Sequence, residues 1–160
     1  MIFGKPSCIQ PLRLNDAVLD NVDEWKYLGT TICAGNSLSF TARPDITSFY
    51  RAANSVLNVL TDAHEDVLMS LLYSNCIPIL SYACAVKQYS ASDMTSCNTA
   101  VNSVIRKIFG FQQRQSVRTL REISGYLSIY NIFANAQSKF LSQARSHRNR
   151  IVQFFALRET

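Results

Sequence analysis

Only a few residues in this chain have the types and spacing to do chemistry. Asp62, Glu65 and Asp66 bring three carboxylates close together. A four-residue step would place Asp62 and Asp66 on one side of a helix. Such a cluster at a helix start is usually capping and dipole complement, so no metal site is read there. Five cysteines (Cys8, Cys33, Cys76, Cys84, Cys97) and two histidines (His64, His147) are the other candidate ligands. A zinc site needs ligands clustered at short spacing so that four can close a tetrahedron. The cysteines are odd in number and show no Cys-x-x-Cys step, and the histidines lie far apart. The thiols read as buried and free, in a reducing compartment. Ser, His and Asp are present, but nothing marks a nucleophile elbow or a paired base. No catalytic residue, metal ligand or cofactor site is assigned.

What remains is the chemistry of polyanion binding. Arg106, Lys107, Arg114, Arg118 and Arg121 gather positive charge on one helix end and the next short helix. Lys and Arg that neutralise phosphates release counterions, which drives sequence-independent binding. The competing reading is a solvated face, with Arg106 and Lys107 favourable near a helix C-terminus. Lys139, Arg145, Arg148 and Arg150, with His147, form a second basic run. It reads first as a solvated helix face. Trp25-Lys26-Tyr27-Leu28-Gly29-Thr30-Thr31-Ile32 is short and aromatic. A glycine in such a strand lets a nucleic-acid backbone approach closely, and aromatic rings can stack on bases. The alternative is a core strand burying Trp25 and Tyr27.

The elements that position these residues follow from patterning. Leu12 and Leu14 alternate with polar neighbours, Asn15-Asp16 suits a turn, and Val18, Leu19 and Val22 follow. Two or three short antiparallel strands fit this region. In the third, Trp25, Tyr27 and Gly29 would share one face and Lys26, Leu28 and Thr30 the other. After Ala34–Ser37 the period becomes helical. Ile46, Phe49, Tyr50, Ala53, Val56, Leu57 and Leu60 make one apolar stripe behind Pro44 and Asp45. Val67, Leu68, Leu71, Leu72 and Cys76 make a second, ended by Pro78. Ile77–Val86 is apolar and read as helix. Ser90 or Ser92 caps a helix that carries Met94, Cys97, Val101, Val104, Ile105, Ile108 and Phe109 and ends before Gly110. Val117–Ser124 is a short helix closed by Gly125. A long helix follows over 126–156, with Ile129, Ile132, Phe133, Ala136, Phe140, Ala144, Ile151 and Phe155 inward.

The chain has 160 residues, 48% apolar and 17% charged, with 5 Gly and 4 Pro. That composition supports a real core of long regular elements and argues against a disordered chain. The net charge of +5 fits a polyanion partner, though many ordinary domains are equally basic. Met1–Pro6 has no basic region before an apolar run, and no apolar window is long enough to span a membrane. The expected location is intracellular, cytoplasmic or nuclear, with no membrane partner.

With these residues in view, the chain resembles the reverse transcriptases of LINE-type (non-LTR) retrotransposons, over the end of the palm and the thumb. Met1–Lys5 is similar to the strand that closes the palm. Leu12-Arg13-Leu14-Asn15-Asp16, Val22 and Trp25–Ile32 are similar to the segment ending in Phe-Lys-Tyr-Leu-Gly, with Trp25 replacing the usual Phe and Thr30 the usual Val or Ile. Ile46 and Arg51-Ala52-Ala53 resemble the first thumb helix. Ile77–Ala83 resembles the Pro-x-Leu-x-Tyr-Gly segment, although Ala83–Lys87 lacks its Gly and Trp. Asn98–Ala100 and Ile105–Gly110 resemble the helix that follows. The matches come in order, cover most of the chain and fade after Gly125.

The resemblance implies an α+β fold, mainly α. A palm-end strand segment (1–35) would precede a helical, thumb-like domain (36–160). It implies a fragment that binds and positions an RNA or DNA primer–template duplex. Trp25, Lys26, Tyr27, Leu28 and Gly29 would support the primer end, and Arg106, Lys107, Arg114, Arg118 and Arg121 would face the duplex. The family's polymerase centre holds two magnesium ions on paired carboxylates. This chain has no Asp-Asp pair, so those ions are expected only in the full-length family enzyme and polymerisation is not expected of this chain. The rival reading is a non-enzymatic helical protein-interaction domain. Oligomeric state is left open.

Overall fold

The computed structural model describes residues 13–15, 17–36, 39–87 and 89–158. The strand expected at Met1–Lys5, together with Cys8 and Leu12, lies outside the described residues, as does the side chain of Phe155. The architecture is α+β and mainly helical, with small antiparallel sheets ahead of the helices.

Strands β1 (Arg13–Leu14) and β2 (Ala17–Val18) pair antiparallel across a turn where Asn15 has φ +54°. Asparagine tolerates that left-handed backbone. A second sheet has the order β3 (Glu24–Tyr27), β4 (Thr30–Cys33), β5 (Ser39–Phe40). Trp25–Ile32 is therefore not one strand. It is a β-hairpin turning at Leu28 and Gly29, with φ +46° and +76°. Two successive positive φ values match the twist of paired strands. Leu at the first position, where Asn or Asp is usual, hid the turn from a reading of periodicity. The reversal also reassigns a face. Thr30 pairs with Tyr27 and so joins Trp25 and Tyr27, while Lys26 pairs with Thr31 on the other side.

Helix α1 (Arg43–Val59) starts at Pro44, whose missing N–H costs nothing in a first turn, and buries Phe49 and Ala53. Helix α2 (Glu65–Leu71) is capped by His64, whose Nδ1 accepts the Asp66 N–H at 3.3 Å. Glu65 and Asp66 lie in its first turn, so the acidic cluster complements the helix dipole. In the second stripe Val67 is exposed and Met69 is buried in its place.

Pro78 does not end this helix. A π-helical turn (Leu72–Cys76) leads straight into α3 (Ile77–Ser81), and the Ile77 N–H reaches the Leu72 carbonyl five residues back. A regular helix would drive the proline ring into the carbonyl four residues earlier; the wider turn makes room for it. The helix expected over Ile77–Val86 stops at Ser81, because Tyr82 turns extended and Ala83 adopts φ +55°.

Helix α4 (Ala91–Ile108) begins at Ser90, whose Oγ accepts the Asp93 N–H at 3.1 Å. Helix α5 (Arg118–Ser124) ends on Gly125, left-handed at φ +70°. The single helix expected over 126–156 is two helices, α6 (Ile129–Arg145) and α7 (Arg150–Arg158). The break is made by side chains that compete for the backbone. Ser146 Oγ donates to the Ser142 and Gln143 carbonyls, and Asn149 Oδ1 accepts the Ile151 N–H. Phe140 and Ile151, expected inward, are exposed.

One core joins α1, the α2–α3 unit, α4 and α6. Phe49, Met69, Leu72, Leu80, Ile105 and Ile129 are its largest fully buried side chains. Each contributes about 1.5–3 kcal/mol by burial.

Candidate nucleic-acid interface

The β3–β4 hairpin carries the first candidate set. Its two faces differ in what they meet. Trp25 and Tyr27 point away from the helices and are 58% and 59% exposed. Lys26 and Thr31 face the helical unit across a cleft of about 440 Å³, lined also by Gly29, Asp45 and Tyr82. The core-strand reading of Trp25 and Tyr27 is therefore overturned: both rings are open for contact.

The turn is fixed from below by Tyr82. Its hydroxyl donates to the Leu28 carbonyl at 3.1 Å, and its ring leaves only 3.3 Å to where a Gly29 side chain would begin. Glycine is required there by both the close approach and the positive φ. Asp45, on the cleft floor, is already neutralised. Lys87 Nζ lies 2.8 Å from its Oδ2 and the Tyr89 hydroxyl 2.7 Å from the same atom. With Asp45 paired, Lys26 leaves the cleft with a positive excess, which suits a phosphate.

The second set divides. Arg106, Arg118 and Arg121 line one cleft between α4, α5 and the start of α6, of about 610 Å³. Arg106 Nε is tied to the Gln115 carbonyl at 2.9 Å, and Arg118 pairs with Glu122 at 2.8 Å. Arg121 is not on a solvated face. It is a buried guanidinium beside Tyr73. Lys107 leans the other way and donates to Asn54 Oδ1 of α1 at 3.2 Å. Arg114 is exposed in the loop before α5 and lines neither cleft. The later run, Lys139, Arg145, His147, Arg148 and Arg150, is exposed throughout.

The two sets lie at opposite ends of one helix pair. The Ala42 N–H donates to Asp93 Oδ1 at 3.3 Å, which fixes the hairpin end of α1 beside the first turn of α4. From Asp93 to Arg106, α4 rises about 20 Å. The hairpin and the basic cluster therefore form two contact points, not one patch.

Cys76, Cys84 and Cys97 are buried free thiols. Burial holds all three above the usual thiol range, Cys97 up to about 11, with Asp93 and Asp45 adding to the effect there. Among the described residues no three His, Cys, Asp or Glu side chains converge as metal ligands, and no helix is long and apolar enough to cross a membrane.

Sequence reasoning passed over several residues that shape these sites. Asp45 and Lys87 are distant in sequence, so no local pattern couples them. Asn98 and Asn102, which line the α4–α5 cleft with Arg106, had a signal. The three recur at four-residue steps on a helix whose other side is apolar. No protein-family model, curated protein or solved structure matches the chain.

Proposed function

We propose that the chain binds and positions a nucleic-acid duplex without polymerising it, as the palm end and thumb of a non-LTR reverse transcriptase would. The observation that carries this reading is the hairpin. Trp25 and Tyr27 stand exposed on a turn held by Tyr82, so the hairpin stretch of the resemblance, Lys26–Gly29, meets the later Pro78–Tyr82 stretch. Exposed aromatic rings stack on the terminal bases or sugars of a duplex. Lys26, Arg106 and Arg114 neutralise phosphates along its backbone. The two magnesium ions of the family enzyme need paired carboxylates, and this sequence has no adjacent Asp-Asp. The chain's own part is to hold the duplex.

Fluorescence anisotropy with a labelled RNA–DNA duplex tests this. Binding should weaken with salt at a log–log slope of about −2 to −4, given two to four phosphate contacts. Trp25→Ala with Tyr27→Ala should weaken it about tenfold or more. No binding at low salt would refute the reading in favour of a protein-interaction domain.

A further inference from the structure

The cleft between α4, α5 and the start of α6 is lined by side chains with polar atoms left unpaired among the described residues. Arg121 is 9% exposed and is hydrogen-bonded to Tyr73, but its Nε and Nη2 have no hydrogen-bond partner among the described residues. Asn98 Oδ1 and Asn102 Oδ1, on successive turns of α4, are buried and unpaired as well. All three side chains line the same space of about 610 Å³. Buried polar groups are almost always satisfied, and each atom left without a partner is costly. Three side chains that carry such atoms line one cleft, and together they describe a ligand by its complement.

That complement has two parts. Arg121 offers two donors to an acceptor-rich anion, for which a guanidinium and a phosphate match well. The α6 N-terminus, capped by Ser128, opens onto the same cleft and adds a positive dipole end. The unpaired Asn Oδ1 atoms accept, so they call for a partner that donates, such as a base edge or ribose hydroxyls. Tyr126, stacked on Tyr73 at 4.4 Å, and Tyr130 supply ring surface at the rim. The volume falls in the range of small-molecule sites.

We propose that this cleft binds a nucleoside monophosphate unit, with Arg121 holding the phosphate and Asn98 and Asn102 the nucleoside. The unit has two possible sources, a free nucleotide or the 5′-phosphorylated end of a single strand. The site does not depend on the duplex reading, since it is probed without a duplex.

Isothermal titration calorimetry on the full chain decides it, with adenosine 5′-monophosphate, adenosine, inorganic phosphate and a 5′-phosphorylated single-stranded octamer as separate probes. The monophosphate or the octamer should bind, and more tightly than phosphate or adenosine alone. Binding of the octamer in competition with the monophosphate assigns the source as a strand end; binding of the monophosphate alone assigns it as the free nucleotide. Arg121→Met removes the buried charge, should leave the Tm unchanged or higher, and should reduce affinity tenfold or more. Asn102→Ala, at a half-buried position, should reduce affinity several-fold and provides the readout if Arg121→Met does not fold. Absence of binding by both nucleotide probes at millimolar concentration, or wild-type affinity in the variants, would overturn the proposal. Phosphate binding as tightly as the monophosphate would also overturn it.

Discussion

Lys87 reaches across the fold to Asp45, Nζ to Oδ2 at 2.8 Å, with only 2% of the lysine side chain exposed. The pair ties the turn after α3 to the first turn of α1, and Tyr89 completes it by donating to the same carboxylate oxygen. Lys87 also lies over the rings of Tyr82 and Tyr89, at 5.6 and 5.7 Å from their centroids. Tyr82 holds the hairpin turn, so the buried charge and the exposed aromatic face are linked through one residue.

Lys87→Met should therefore destabilise the protein by about 3–5 kcal/mol, because it strands a largely buried carboxylate. Adding Asp45→Asn should recover part of that loss. Urea denaturation of the two singles and the double gives the coupling directly. Strictly additive losses would show that the two charges do not support each other.

The hairpin turn makes a second prediction. Leu28 sits at φ +46°, where a branched side chain is strained and asparagine is at ease. Leu28→Asn should stabilise by about 0.5–1 kcal/mol, raising the Tm by roughly 2–3 °C. Its carbonyl, which accepts from Tyr82, is unaffected by the change. Gly29→Ala should do the opposite, losing about 1–2 kcal/mol to its φ of +76° and the ring of Tyr82. Equal Tm values for the two variants would mean that the turn is not set by these angles.

How much of this was legible in the sequence depends on the range of the interaction involved. The helical stripe of Phe49, Ala53 and Val56 and the cap at Ser90 are local patterns, and both were readable. Pro78 misled because the π turn that accommodates it has no periodic signature. The break at Ser146–Asn149 misled because it is made by side chains bonding to backbone, not by Gly or Pro. Arg121 counted as a surface charge by type alone. Its burial depends on how α5 packs beside Tyr73 and α4, which is information from distant parts of the chain. The exposure of Trp25 and Tyr27 ran against the general tendency of large rings to be buried, and it is the cleft that Lys26 and Thr31 line with α1 and Tyr82 that sets which face meets the helices.

The buried thiols give a pH-dependent prediction with a definite sign. Burial raises Cys97 from about 9.0 to about 11 and pushes Cys76 and Cys84 in the same direction. Tyr89 is raised too, first by burial and then by Asp45. In each case the folded chain keeps its proton to a higher pH than the unfolded chain does. The stabilisation is fully present below the unfolded pKa, near 9 for the thiols, and is lost as pH rises through the folded value. Urea midpoints should thus hold steady up to about pH 9 and fall between pH 9 and 11, and Cys97→Ala should flatten that fall. Iodoacetamide at pH 8, followed by peptide mapping, checks the same burial by reactivity. Half-exposed Cys33 should alkylate well before Cys76, Cys84 and Cys97, which should react only as the protein unfolds. Equal labelling rates for all four in the native protein would contradict both the burial of these thiols and the alkaline loss of stability drawn from it.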